Sequence, residues 1–294
     1  MPADGDTATD PVHATAEDHR LAADLATQAG ALLVQLRRKH RFDPADPAAD
    51  DELRRAGDRL AHEFLAGALA EARPGDAVLS EEAPDDRQRL HAERVWIVDP
   101  LDGTRQYGEA GRGDWAVHVA LVIGGIPVVG AVALPAEEVT FATPDQVPSG
   151  PTTDHAPASP PSTGSNSMSR RRLIASRSRP SHHAAAIAAA LGSELYTLGS
   201  VGAKVAEVVR GRADAYVHAS GHHEWDSAAP VAVARAAGLH ASRLGGAPLR
   251  YNQAVPFVPD VLICRPEIAD DIVAAHDAYE SSARSGGAEP PSRG

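Results

Sequence analysis

Asp99 and Asp102 stand three residues apart in the stretch RVWIVDPLDGTRQYGE, residues 94–109, just behind an apolar run and just ahead of Gly103-Thr104. Pro100 fixes its own φ and disfavours helical geometry at Asp99, so the chain is expected to turn sharply as it leaves the strand, with both carboxylates facing one small volume. Gly103 and Thr104 can open a helix whose free N–H groups face an anion, and the Leu101 carbonyl can point inward. Carboxylates beside such a turn repel a phosphate unless cations stand between them. Hard divalent ions such as Mg²⁺ prefer oxygen ligands and complete their shells with water and phosphate oxygens, so the pattern suggests metal-assisted phosphoryl chemistry. The pentapeptide by itself fits equally well a tight turn whose aspartates cap the next helix.

Further chemistry-bearing residues sit at element junctions: Glu81-Glu82 upstream and Glu224-Trp225-Asp226-Ser227 downstream. Singly, Glu82 reads as a solvated charge and Asp226 as a helix cap. Asp58 follows Gly57 within a helical pattern, where a glycine costs about 1 kcal/mol relative to alanine and wants a reason. Ser200 and Lys204, in LGSVGAK, open a helix in a layout suited to a second anion; the plainer roles are a capping serine and a solvated lysine. Ser176 and Arg177 end a strand with a hydroxyl and a guanidinium. His218, His222 and His223 are expected to be structural or solvated, because oxygen ligands dominate here.

The elements that must position these groups fall into two halves. In residues 15–142, apolar positions from Leu21 to Leu36 and from Leu53 to Leu69 trace two helix faces, with Pro44 and Pro47 breaking the chain between them. Ala77–Leu79, Val95–Val98, the hairpin Trp115–Leu134 around Gly124-Gly125, and Val139–Ala142 read as strands, giving two helices on a largely antiparallel sheet. Residues 143–169 are Pro, Ser, Thr and Gly almost throughout and are expected to be a flexible excursion. Residues 170–282 alternate strands and helices, an α/β pattern, and residues 1–14 and 283–294 read as disordered tails.

The blocks E-E, then W-I-V-D-P-L-D-G-T, then W-D-S-A-A-P resemble, in order and spacing, the signatures of the inositol monophosphatase superfamily of Mg²⁺-dependent, lithium-sensitive phosphomonoesterases. The resemblance spans roughly residues 20–280 and implies the sugar-phosphatase fold, a layered α-β-α-β-α sandwich with an N-terminal α+β half and a C-terminal α/β half. It also implies that Glu81, Asp99 and the Leu101 carbonyl hold one Mg²⁺ and that Asp99, Asp102 and Asp226 hold a second. A water activated by the cations would be oriented by Thr104 and Glu81, with no covalent phosphoenzyme. Asp58 falls where the family supports the threonine hydroxyl or a third metal; the lysine-bearing stretch usual before it is replaced by FDPADPAADDELRR, which leaves the third metal open. S-R-S at 176–178, the glycine- and lysine-bearing stretch G-S-V-G-A-K at 199–204 and HASGHHEWDSAAP are similar to the 3′(2′),5′-bisphosphate nucleotidase branch of the CysQ type. That likeness implies hydrolysis of 3′-phosphoadenosine 5′-phosphate to AMP and phosphate, with Gly103 and Thr104 at the phosphate and Ser176, Arg177, Ser200 and Lys204 on the rest of the nucleotide. An inositol-1-phosphate or fructose-1,6-bisphosphate phosphatase, and a catalytically silent nucleotide-binding regulator, are the alternatives.

The bulk composition narrows the partners. The 294 residues are 43% hydrophobic and 23% charged, ordinary for a folded globular chain. A formal net charge of −12 opposes binding to nucleic-acid polymers or anionic membranes and points to a small phosphate ester reached through cations. Cys264 is the single cysteine, so neither an internal disulfide nor a cysteine-type zinc or iron–sulfur centre can form. With no apolar leader or long apolar run, a cytoplasmic enzyme is expected, and a homodimer is left open.

Overall fold

The computed structural model describes residues 13–43, 45–144, 170–177 and 181–285. Helix α1 (Ala16–Lys39) starts at a capping box in which the Thr15 hydroxyl and Asp18 carboxylate satisfy each other's backbone N–H groups, and it ends on Arg37, Arg38 and Lys39, charges that suit its C-terminus. Helix α2 (Pro47–Ala72) begins with Pro47 in its first turn, where a missing N–H costs nothing. The proline-rich stretch expected to separate the helices therefore supplies the first turns of the second.

Strands β1 (Ala77–Ser80), β2 (Arg94–Asp102), β3 (Ala116–Ile123), β4 (Ile126–Leu134) and β5 (Val139–Ala142) form one sheet in that order. Only the β1–β2 pair is parallel. The second half builds β6 (Arg172–Ser176), α4 (His182–Ala190), β7 (Glu194–Leu198), α5 (Val201–Val209), β8 (Ala215–His218), the short β9 (His222–His223), α6 (Glu224–Ala236), β10 (His240–Ser242), β11 (Phe257–Val258), β12 (Val261–Cys264) and α7 (Ala269–Ser285). Its main sheet runs β10-β12-β8-β6-β7, and β9 pairs with β11 separately. The sheet is mixed rather than purely alternating: β6 is parallel to β7 and β8, whereas β12 is antiparallel to β8 and β10. Strands β9, β10 and β11 escape sequence reading because two or three residues carry no period.

Period-two alternation distributes the apolar side chains of each sheet between two cores. In β2, Trp96 and Val98 pack toward α1 and α2, while Val95 and Ile97 face a central core shared with α5, α6 and the inner side of the second sheet. Leu173, Ala175, Val217 and Cys264 point the other way, to α4 and α7. The result is the five-layered α-β-α-β-α sandwich. Gly130 lets α6 lie directly on β4, since a Cβ there would stand 2.7 Å from the Ala229 carbonyl. The tails and excursion expected at 1–14, 143–169 and 283–294 fall mostly outside the described residues. Inside them, α7 continues past 282 to Ser285, and the buried Thr143 is held by its N–H donating to the Gly130 carbonyl at 2.9 Å.

Candidate active site

Strand β2 does not end at Asp99. It pairs with β3 through Asp99↔His118 and again at Asp102↔Ala116, three steps on one strand against two on the other, so one extra residue is bulged out. Pro100, with no N–H to give the ladder, sits within this irregularity. The bulge, not a turn, solves the geometry: in a regular strand residues three apart face opposite sides, and one extra residue brings Asp99 and Asp102 to the same side. The Asp99 carboxylate accepts the Leu101 N–H at 3.0 Å. Gly103 then reverses the chain with φ of 85°, where a side chain would be strained and would also crowd Asp114 and Trp115. The helix it opens, α3 (Thr104–Tyr107), is a single turn.

One oxygen from each of Asp99, Asp102 and Asp226 lies within 4.8 Å of the others. The first two come from β2 and the third from the first turn of α6, so both halves contribute. Asp226 also accepts the His223 N–H at 2.7 Å, so the capping role and the cluster role coexist. Glu81 does not join this tight group, although Asp99 feels its charge. It reaches solvent at the surface while protein crowds its carboxyl group; burial, then Asp226 and Glu82, push it up to about 8. Asp99 is 1% exposed and is raised well above the usual carboxylate range by burial and by Glu81, Asp102 and Asp226.

Asp102 is driven the opposite way. Burial alone would raise it, but His118, Lys204 and Ser200 outweigh burial and hold it at about 2. Its Oδ2 accepts the Ser200 hydroxyl and the Gly202 N–H at 2.9 Å, and the His118 Nε2 stands 3.2 Å away. These contacts gather on one oxygen of the carboxylate. Ser200 doubles as the N-cap of α5, accepting the Ala203 N–H at 3.1 Å. Lys204 is not a solvated residue: it is buried, its ammonium donates to the Gly199 carbonyl and lies 5.3 Å from the Tyr216 ring centre, and burial lowers it to about 8.

Asp58 reaches the site from α2. The Thr104 hydroxyl lies 3.4 Å from its carboxylate and 2.9 Å from the Leu101 carbonyl. Burial and Glu82 raise Asp58 to about 7. Gly57 owes its place to packing: a Cβ would stand 2.8 Å from the Tyr107 ring and 3.1 Å from Leu101. The glycine lets α2 press on α3 and bring Asp58 within reach.

A cavity of about 230 Å³ opens over Asp102, Gly103, Thr104, Ser176, Ser200, Lys204 and Asp226. Arg177 is not in its lining; it faces Glu109 at 3.6 Å and Asp114 at 4.0 Å across the two halves. His218 and His222, read as structural, line the cavity as well. Sequence reasoning missed His118, in the middle of a strand and fully buried, and Asp114, which accepts the Gly199 N–H at 2.8 Å. Neither neighbours a motif in the chain, so only the β2–β3 pairing and the joining of the halves reveal them.

The Inositol monophosphatase family model matches residues 16–279. The chain belongs to that family. It is 48% identical over 261 residues, 86% of this chain and 90% of the other, to a Mycobacterium leprae protein named 3′-phosphoadenosine 5′-phosphate phosphatase. To the Escherichia coli K12 3′(2′),5′-bisphosphate nucleotidase CysQ it is 30% identical over 246 residues, 80% of this chain and 94% of that one. Among solved structures it is similar to CysQ from Bacteroides thetaiotaomicron, with a TM-score of 0.69 and 27% identity over 85% of this chain and 97% of that one.

The three-aspartate group suits a hard divalent cation. It offers only carboxylate oxygens, and after burial the upward drive on Asp99 comes from its carboxylate neighbours, a repulsion that a cation would relieve.

Proposed function

We propose that this protein is a Mg²⁺-dependent phosphomonoesterase that removes the 3′-phosphate of 3′-phosphoadenosine 5′-phosphate, releasing AMP and phosphate in the cytoplasm. The convergence of Asp99, Asp102 and Asp226, the last two lining a cavity shared with Gly103 and Thr104, carries this reading. The 48% identity to a protein named for that activity supports the substrate.

Asp99, Asp102 and Asp226 would hold one Mg²⁺; Asp99, the Leu101 carbonyl and Glu81, by an inward swing, would hold another. Bound there, Mg²⁺ neutralises phosphate charge and makes a water more acidic. The protein's own groups do the rest. The Gly103 and Thr104 N–H groups donate to phosphoryl oxygens. The Thr104 hydroxyl orients the attacking water by accepting a hydrogen bond from it while donating its own hydrogen toward Asp58, so the proton that the water gives up passes through Thr104 to the Asp58 carboxylate. The water oxygen bonds to phosphorus as the bond to the ribose 3′-oxygen breaks, and the departing oxygen takes up a proton from solvent. Ser176 lines the far side of the cavity and Arg177 stands beside it for the remaining phosphate.

A phosphate-release comparison with and without Mg²⁺ tests the reading. kcat/KM for 3′-phosphoadenosine 5′-phosphate should exceed that for inositol 1-phosphate and fructose 1,6-bisphosphate at least tenfold, and Asp99→Asn should lose release by about 10³-fold or more, the scale on which lost electrostatic stabilisation acts. Equal rates on the three esters overturn the substrate; release unchanged in Asp99→Asn overturns the site.

A further inference from the structure

We propose that His183, His276 and Glu280 form a second metal site, for a transition ion of the zinc class, which fastens α7 to α4 in the outermost layer. One ligating atom from each of the three residues lies within 4.8 Å of the others. His276 and Glu280 are four residues apart on α7, hence on one helix face, and His183 stands in the first turn of α4. His276 Nδ1 faces His183 Nε2 at 2.8 Å, and the Glu280 carboxylate is 3.8 Å from the other nitrogen of His183. Tyr279 stacks on the His183 ring at 4.3 Å between centres and steadies it. The outer core places all of this across the second sheet from the carboxylate cavity, so the two sites share no residue.

Two imidazole nitrogens that face each other share a single proton. A tetrahedral ion with bonds of about 2.0–2.1 Å to each nitrogen needs them roughly 3.3 Å apart, so a small ring rotation admits the ion and expels the proton. Two imidazoles with one carboxylate favour Zn²⁺, Co²⁺ or Ni²⁺ over Mg²⁺, which prefers an all-oxygen shell. Three protein donors leave the fourth position to water. Asp260, whose charge His183 feels, adds negative potential for a cation. The His183 side chain is 13% exposed and that of Glu280 is 40% exposed, so an ion can enter from solvent.

The untagged full chain, saturated with Mg²⁺ to occupy the carboxylate site, is titrated with Co²⁺ and followed by visible absorption. Zn²⁺ retained after gel filtration is counted, and the unfolding midpoint is read with and without Zn²⁺. One equivalent with intense tetrahedral bands, displaced by Zn²⁺, is expected in the parent chain and in Asp226→Asn. His276→Gln should lose that equivalent and the Zn²⁺-induced rise in midpoint, and Glu280→Gln should bind at least tenfold more weakly, both with phosphate release intact. Should His276→Gln fail to fold, the solvent-reaching Glu280→Gln decides alone. No bound equivalent in the parent chain, or unaltered binding in the variants, overturns the proposal.

Discussion

His118 illustrates how much a site depends on residues that touch neither substrate nor cation. It presents one nitrogen to the Trp225 carbonyl at 3.3 Å and the other to Asp102 at 3.2 Å, linking β3 to the first turn of α6 and to a proposed ligand at once. Partners of this kind orient ligands and typically matter 10–100-fold for metal affinity. In His118→Phe, which keeps a ring but no donor, the Mg²⁺ concentration for half-maximal phosphate release should rise about 10–100-fold, with a much smaller fall in kcat at saturating Mg²⁺. A fall in kcat with no change in the Mg²⁺ requirement would remove His118 from this role. Such residues are illegible in a sequence: His118 lies within an apolar strand, where a histidine looks like any other core residue. Asp99, Asp102 and Asp226 were legible because each stands beside proline, glycine or tryptophan in a short motif.

At the scale of elements, sequence reading brought Asp99 and Asp102 together for a partly wrong reason. Pro100 was expected to end β2 and instead marks a bulge inside it, since a proline without an N–H is tolerated where the ladder is already interrupted. Both geometries bring Asp99 and Asp102 together, and local sequence does not distinguish them; the continuing partner β3 does. The contact between α2 and α3 is similarly invisible until the helices are packed. Gly57→Val would drive a side chain into the Tyr107 ring and Leu101, at a cost of about 1–3 kcal/mol. Urea unfolding should show that loss, and phosphate release should fall further than the folded fraction does, because α2 carries Asp58 away from Thr104. Activity that tracks the folded fraction would mean that α2 supplies stability alone.

Across the whole molecule, the longer helices and strands were readable from periodicity and their stacking into five layers only from the family resemblance, whereas the mixed second sheet was not readable, because its antiparallel neighbours are set by long-range pairing. The carboxylate field also acts at this scale. Asp58, at about 7, and Glu81, at about 8, bind protons more tightly folded than unfolded. As pH rises from about 4 to about 8, the metal-free protein therefore loses stability through them. Asp102 works oppositely: its contribution is full above the ordinary carboxylate value and is lost as pH falls through about 2. Mg²⁺ should offset the first effect, so the gain in unfolding midpoint on adding Mg²⁺ should grow between pH 5.5 and 8.5. At a hundredfold excess over Kd the stabilisation is about 2.7 kcal/mol. A Mg²⁺ gain independent of pH would contradict the involvement of these carboxylates.

Cys264, fully buried at the end of β12 and pushed up to about 12 by burial, gives the molecule a built-in clock. A thiol without thiolate character does not react with disulfide reagents while its strand stays paired with β8 and β10. Its modification by such a reagent at neutral pH should therefore be slow and should keep pace with unzipping of that sheet. Reaction within seconds under native conditions would mean that the sheet breathes far more freely than its packing implies.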